Sequence, residues 1–322
     1  MNRNNIILLA LLLIQGTCIG VRQLSSPTQS SSVQRGMLLG ELATDGVSGL
    51  TIEDGDAEDE GVSTLVRGPD GWRVSELWNH PADEKKVDEL LRELAALEVA
   101  DVVSTTGLHA VDLGVDDDEF KKRVTITTQA GDKVLLLGTS GRGSSTHARL
   151  LGSDEIVAVR NFSTWRVHAR PGGWADRDVL DIDPSSVTRL ELTRDGQTLS
   201  FNRSEGQVEG TAAWRMSEGG RSAGVDAEVV DPLLAKASKL SSSKVLGPTA
   251  PIPEPRLTVT LTTPTGVTSY SLGPAADENF SLSVEGSTHL LAIGKWAIES
   301  LLSASFDDLV PSDEPEAPAS PQ

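Results

Sequence analysis

Apolar positions recur along this chain in two rhythms, and the pair of rhythms occurs twice. In "PADEKKVDELLRELAALEV" the residues Val87, Leu90, Leu91, Leu94 and Leu97 fall at the three- and four-residue spacings of one helical face. A second stripe, Val230, Leu233, Leu234, Ala237 and Leu240, repeats it 143 residues on. Each predicts an amphipathic helix. Pro81 fits the first turn of the first helix, with Asp83 and Glu84 at its positive dipole end. Asp231 as cap and Pro232 at the first position predict a shorter second helix. Strand rhythm follows each helix. "VTITTQAGDKVLLLG" at 124–138 and "VTLTTPTGVTSYSLG" at 259–273 align without a gap at an offset of 135, with seven identities in fifteen positions. Both alternate β-branched residues around a Gly-containing turn and read as hairpins ending in Leu-Gly.

Matching pieces flank these. "VSGLTI" at 47–52 parallels "VTRLEL" at 187–192, "GWRV" at 71–74 parallels "AWRM" at 213–216, and "EIVAV" at 155–159 parallels "HLLAI" at 289–293. Each unit thus runs strand, Trp-bearing strand, helix, hairpin, closing strand. The prediction is an α+β tandem duplication of a mostly antiparallel sheet covered by one helix. The drop in offset from 143 to 135 puts eight extra residues in the first copy near "GVDDDEFKK", which reads as a surface loop. A third Trp-Arg, at Trp165, has no counterpart at either offset and reads as coincidence. The assignment is 1–21 membrane anchor or signal segment, 22–45 polar tether, 46–168 first repeat, 169–183 connector, 184–306 second repeat and 307–322 acidic Pro-rich tail.

The first segment carries Arg3 and an apolar run from Ile6, weakening toward Val21. As a helix it spans roughly 24 Å, somewhat short of a ~30 Å hydrocarbon layer. No Ala-x-Ala follows it, and Gln15-Gly16-Thr17 before Cys18 is a poor lipidation context. The expectation is an uncleaved single N-terminal membrane helix in the inner membrane, with the bulk of the chain extracytoplasmic. Cys18 is the only cysteine, so no intramolecular disulfide forms and the folded part has no Cys ligand or nucleophile. A formal charge of -19 argues against nucleic acid or anionic lipid as the partner surface.

The order of strand, "GWRV", "PADEKKVDELLRELAALEV", the "LGVD" turn at 113–116, hairpin and closing strand resembles a bacterial family of exported proteins, domain of unknown function 4340, over roughly Val47 to Phe306. That resemblance implies a membrane-anchored envelope protein, encoded beside ABC-type exporter components related to those of gliding motility. It supplies no catalytic residues.

The residues themselves yield no reaction centre. Asp54, Asp56 and Glu58 alternate as calcium ligands would, but an EF-hand needs Gly at Asp59 and Glu at Leu65. Asp116, Asp117, Asp118 and Glu119 read as a solvated loop before a metal site. Gly138 and Gly143 have phosphate-loop spacing, with Ser144 where the lysine belongs. Ser241 and Lys244 match Ser-x-x-Lys without its partner motifs and read as a helix end. His80, His109, His147, His168 and His289 show no ligand spacing. No catalytic, cofactor-binding or metal residue is assigned, and no cofactor. Trp72 and Trp214 are expected in the cores, their indole N–H groups bonded to backbone acceptors, with Arg73 and Arg215 on the opposite strand face.

The expectation is a non-enzymatic accessory or scaffold protein of an envelope ABC-type transport complex. The alternative is a ligand-binding module for glycan or peptide between the repeats, and the third reading is a hydrolase. A deep pocket with convergent polar groups favours the binding module; flat surfaces with an exposed apolar patch favour the scaffold.

Overall fold

A computed structural model of the chain describes residues 36–57, 61–141, 144–204, 213–274 and 279–309. The expected anchor, tether residues 22–35 and the tail from 310 lie outside them. Among the described residues no helix is long and apolar enough to cross a membrane.

The molecule is mostly antiparallel sheet. The first sheet has nine strands: β1 Val47–Asp54, β2 Val62–Gly68, β3 Gly71–Val74, β4 His80–Pro81, β5 Val99–Ser104, β6 Lys122–Thr128, β7 Gly131–Ser140, β8 Ser145–Leu150 and β9 Ile156–Arg160. Their spatial order is β4-β3-β2-β1-β6-β7-β8-β9-β5. After a short strand β10 (Asp178–Asp181) come β11 Arg189–Arg194, β12 Gln197–Arg203, β13 Trp214–Glu218 and β14 Arg221–Val225. The chain continues through β15 Lys239–Ser241, β16 Lys244–Pro248, β17 Leu257–Thr263, β18 Gly266–Pro274, β19 Asn279–Val284 and β20 His289–Gly294. The second sheet is ordered β14-β13-β12-β11-β17-β18-β19-β20-β16, position for position the order of the first. In both, a strand beyond the helix, β5 in the first sheet and β16, after the short β15, in the second, crosses to the far edge and pairs with the closing strand.

The Trp strands occupy equivalent places down to their neighbours. Trp72 pairs across the ladder with Arg67 and Trp214 with Arg203. Each guanidinium lies over its indole, at 5.5 Å and 4.6 Å from the ring centroid. Both tryptophans are buried, in separate cores. Trp72 Nε1 is buried without a hydrogen-bond partner among the described residues, contrary to the expected backbone acceptor.

Three helix expectations need correcting. The first helix, α1 (Glu84–Ala95), starts after Asp83, whose side chain accepts from Lys86 N at 3.3 Å. Pro81 sits in β4 instead. A four-residue helix α2 (Ala110–Leu113) follows in the inserted segment. The second covering helix, α3 (Ala227–Ser238), has twelve residues like α1, and Pro232 lies inside it. Burial of Val230, Leu233, Leu234 and Ala237 outweighs the ~3 kcal/mol that an interior proline costs a helix. The second sheet is also covered by more than one helix, because α4 (Lys295–Ser303) sends Ile298 and Leu301 into the same core. A last turn, α5 (Phe306–Leu309), buries Phe306.

The inserted acidic segment is partly packed. Ala110 and Val115 join Leu136 and Ile156 in a small separate cluster, while Arg149 Nε donates to the Val115 carbonyl at 2.6 Å and its guanidinium pairs with Asp117. Packing of the first repeat begins at Leu38 and Leu39, both buried, with Leu38 N bonded to Leu97 O at 2.7 Å.

Candidate functional site

The histidines that show no ligand spacing in sequence are partly assembled by the fold. His80, from β4, and His289, from β20, meet edge to face with ring centroids 4.7 Å apart. Nε2 of His80 faces the Asp176 carbonyl at 2.9 Å, and Nε2 of His289 faces the Trp78 carbonyl at 3.1 Å, so both nitrogens are donors. The second repeat is therefore bonded directly to a turn of the first. That turn is strained: Trp78 and Asn79 both have positive φ, 55° and 58°. Arg73 Nη1 holds it by donating to the Asn79 carbonyl at 3.1 Å.

The segment between the repeats is stitched to each of them. On the first side, Asp83 N bonds to Trp174 O at 2.7 Å and Asp176 N to Pro81 O at 2.9 Å. On the second, β10 pairs with β15, and Ser242 N bonds to Arg177 O at 2.8 Å. Consecutive side chains divide between the cores: Trp174 packs in the first, Ala175 in the second. Trp174 Nε1 donates to His168 O at 2.8 Å, and the His168 ring stacks on the indole at 4.4 Å. Gly173 permits this, since a Cβ there would stand 2.3 Å from His168 Cε1.

These contacts wall a cleft of about 820 Å³. Asp54, Glu76, Lys122 and His168 line it from the first repeat, Ala169 to Gly173 and Arg177 from the connecting segment, and Ser242 to Val245 from the second. Lys122 pairs with Asp54, and Glu76 Oε2 accepts from Thr64 N at 3.0 Å. Burial, helped by the Lys86 charge, holds the His168 imidazole below its ordinary value, so it faces the cleft neutral at pH 7.

Burial likewise lowers the pKa of His80, with the His289 and Arg73 charges adding to it and the Asp176 carbonyl opposing it. A folded-state pKa below the ordinary 6.5 means that the unfolded chain takes up a proton the junction refuses. Stability is therefore expected to be full above pH 6.5 and to fall as the pH drops below it, by at most about 1.4 kcal/mol per pH unit per such group. Thermal melts between pH 8 and 5 check this. His80→Gln should flatten the slope, and an unchanged slope would show that this imidazole does not titrate on unfolding.

The other sequence candidates are not brought together. Asp54 and Asp56 pair separately with Lys122 and Lys121, while Glu58 and Asp59 lie outside the described residues. Asp117 serves Arg149, and Asp116 accepts from Asp118 N at 3.1 Å. Among the described residues no group of three or more His, Cys, Asp or Glu is placed to hold a metal ion. Gly138 lies in β7, Gly143 lies outside the described residues, and a strand follows Ser144. Ser241 Oγ faces Asp178 Oδ1 at 3.5 Å, whereas Lys244 opens β16 and lines the cleft. His109 pairs with Asp112 at 3.1 Å and His147 with Thr139 Oγ1 at 3.1 Å, each within the first repeat. Arg170 and Arg177 carried one sequence signal, two arginines around Pro-Gly-Gly in an acidic chain.

As a Trp-Arg pair Trp165 has no counterpart, but its indole has a neighbour in kind in the second repeat. Trp165 sits in the first helical turn after β9, as Trp296 does after β20, and the two are 72% and 77% exposed. Arg166 beside Trp165 pairs with Glu93 of α1, and Lys236 of α3 lies 5.4 Å from the Trp296 centroid. The match escapes a fixed offset because the approaches to the two turns differ in length.

Fold and cleft define a class: a β-rich protein of two topologically matched sheets joined by a stitched segment, with a polar cleft at the junction. The family model for Domain of unknown function (DUF4340) matches residues 72–288, about two thirds of the chain, and the chain belongs to that family. The match runs from the Trp strand of the first sheet to the threshold of the closing strand of the second, so it takes in parts of both sheets. No curated protein and no solved structure matches the chain.

Proposed function

We propose that the protein is a non-enzymatic extracytoplasmic binding module, a tandem duplication held at the inner membrane by residues 1–21, with its ligand site in the cleft between the repeats. The observation that carries this reading is the cleft itself. Its volume lies in the roughly 300–1,000 Å³ range of small-ligand sites, and charged groups converge on it from both repeats and the segment joining them.

A second reading, that the module is an accessory or scaffold subunit of an ABC-type transport complex, is favoured by Trp165 and Trp296. Exposed indoles in matched places are suited to a protein partner, where tryptophan is enriched among energetic anchors. The test crosslinks the full-length protein in its native membrane through a photoreactive residue at position 172 or 296, then identifies adducts by mass spectrometry. Small-molecule adducts at 172 are the expected result for the binding module, and transporter subunits at 296 for the scaffold. Repeated preparations with no specific adduct at either position would remove both.

A further inference from the structure

We infer that the junction cleft takes an anionic ligand, a small molecule bearing a carboxylate or phosphate group, held by Arg170, Arg177 and Lys244. The inference rests on the reading of the cleft as a ligand site and adds the ligand's chemistry.

The argument begins with charge. The chain as a whole carries -19, so its surface repels anions, yet the cleft lining holds Lys122, Arg170, Arg177 and Lys244 against only Asp54 and Glu76. Both carboxylates are already engaged: Asp54 by Lys122, and Glu76 by the Thr64 backbone N–H. Arg170, Arg177 and Lys244 remain, and among the described residues none of the three forms an ion pair or a side-chain hydrogen bond. The unsatisfied charge of the lining is positive.

The backbone beneath these cations is fixed. Arg170 O accepts from Gly173 N at 3.0 Å, closing the turn Pro171–Gly173. Arg177 O accepts from Ser242 N, and Lys244 opens β16, which pairs with β20. Three cations on held backbone line one cleft from the joining segment and the second repeat, so an anion that enters it is attracted by all of them. Guanidinium groups suit the planar fork of a carboxylate or two oxygens of a phosphate, and the ammonium adds a point charge. His168, neutral and stacked on Trp174, offers a flat polar surface beside them. Gly172 has nothing within 4 Å of where a Cβ would stand and needs no positive φ, so the space beside it is open.

That opening supplies the test. Full-length protein in mild detergent is titrated calorimetrically with citrate, inorganic phosphate, the neutral sugar maltotetraose and an uncharged capped trialanine, at low and high salt. Citrate or phosphate is expected to bind, and which of the two is tighter assigns the ligand to the carboxylates or the phosphates. Arg177→Glu and Lys244→Glu should each weaken binding roughly tenfold or more, because each turns an attraction into a repulsion, and added salt should weaken it further. Gly172→Trp should block binding by setting a bulky indole in the open space that lines the cleft, and unchanged thermal melts would show that the variants are folded. Anion binding indifferent to Gly172→Trp and to both reversals would overturn the inference. Binding of only a neutral probe, blocked by Gly172→Trp, would overturn the anionic class and leave the cleft reading standing. If no probe binds, both are lost.

Discussion

Gly138→Ala is expected to cost about 3 kcal/mol, a large share of the roughly 5–15 kcal/mol that holds a domain folded. Gly138 is the glycine of the Leu-Gly that ends the first hairpin, and a Cβ there would stand 1.9 Å from the Leu113 carbonyl oxygen and 2.8 Å from Val115 Cγ1. That backbone cannot easily retreat. Val115 N bonds back to Ala110 O, Lys121 N bonds to Gly114 O, and Arg149 locks the Val115 carbonyl from the other side. The equivalent Gly273→Ala should cost only about 1 kcal/mol, because its nearest neighbour is the Ile252 Cγ2 methyl at 2.5 Å, which belongs to a half-buried side chain and not to backbone held by hydrogen bonds. Gly247→Ala, with nothing within 4 Å, serves as the control. Chemical denaturation of the three variants ranks them, and a Gly138→Ala protein no less stable than Gly247→Ala would mean that the crossing segment does not press on β7.

The second large effect is expected at the tryptophans. Trp214→Ala should destabilise by about 3–5 kcal/mol, since it empties the largest buried side-chain volume on β13 and removes the ring on which Arg203 rests. Trp72→Ala should behave alike in the other core. Trp72→Phe should recover most of the loss, because no hydrogen bond of Nε1 is forfeited and an unsatisfied buried N–H, worth about 1–3 kcal/mol, disappears. Equal losses for Trp72→Phe and Trp72→Ala would show that the indole N–H has a partner after all.

Much of the fold was legible because the repeat carries its signal in burial patterns that need no context. The helix stripe from Val87 to Leu94, the paired hairpins and the two Trp strands are apolar where the core requires it. Several strands that escaped notice have polar residues among their buried positions. In β8 the buried residues include Ser145, Thr146 and Arg149, in β2 Ser63 and in β19 Ser281, so the alternation that marks a strand is masked. Tertiary partners compensate the burial of Thr146, Arg149 and Ser281, as when Thr146 Oγ1 donates to the Phe162 carbonyl at 2.6 Å, whereas Ser63 Oγ is buried without a partner among the described residues. Pro232 misled for a related reason: a local rule against interior proline was overruled by long-range packing of the face it shares with Leu233 and Leu234.

The candidate site was less legible than the fold. His80 and His289 are far apart in the chain, and Arg170, Arg177 and Lys244 belong to two different segments with no shared spacing. Periodicity reports which side of an element faces a core, because that is a property of neighbouring residues on one helix or strand. It carries nothing about which edge of one repeat lies against the other. By itself the sequence determined the duplicated strand-helix-hairpin unit, its buried tryptophans and the family, since all of these are local patterns of volume and polarity. Only the tertiary structure decided the cleft. The segment joining the repeats sends Trp174 into one core and Ala175 into the other, and that anchoring puts Arg170 and Arg177 in one lining with Lys244 of the second repeat.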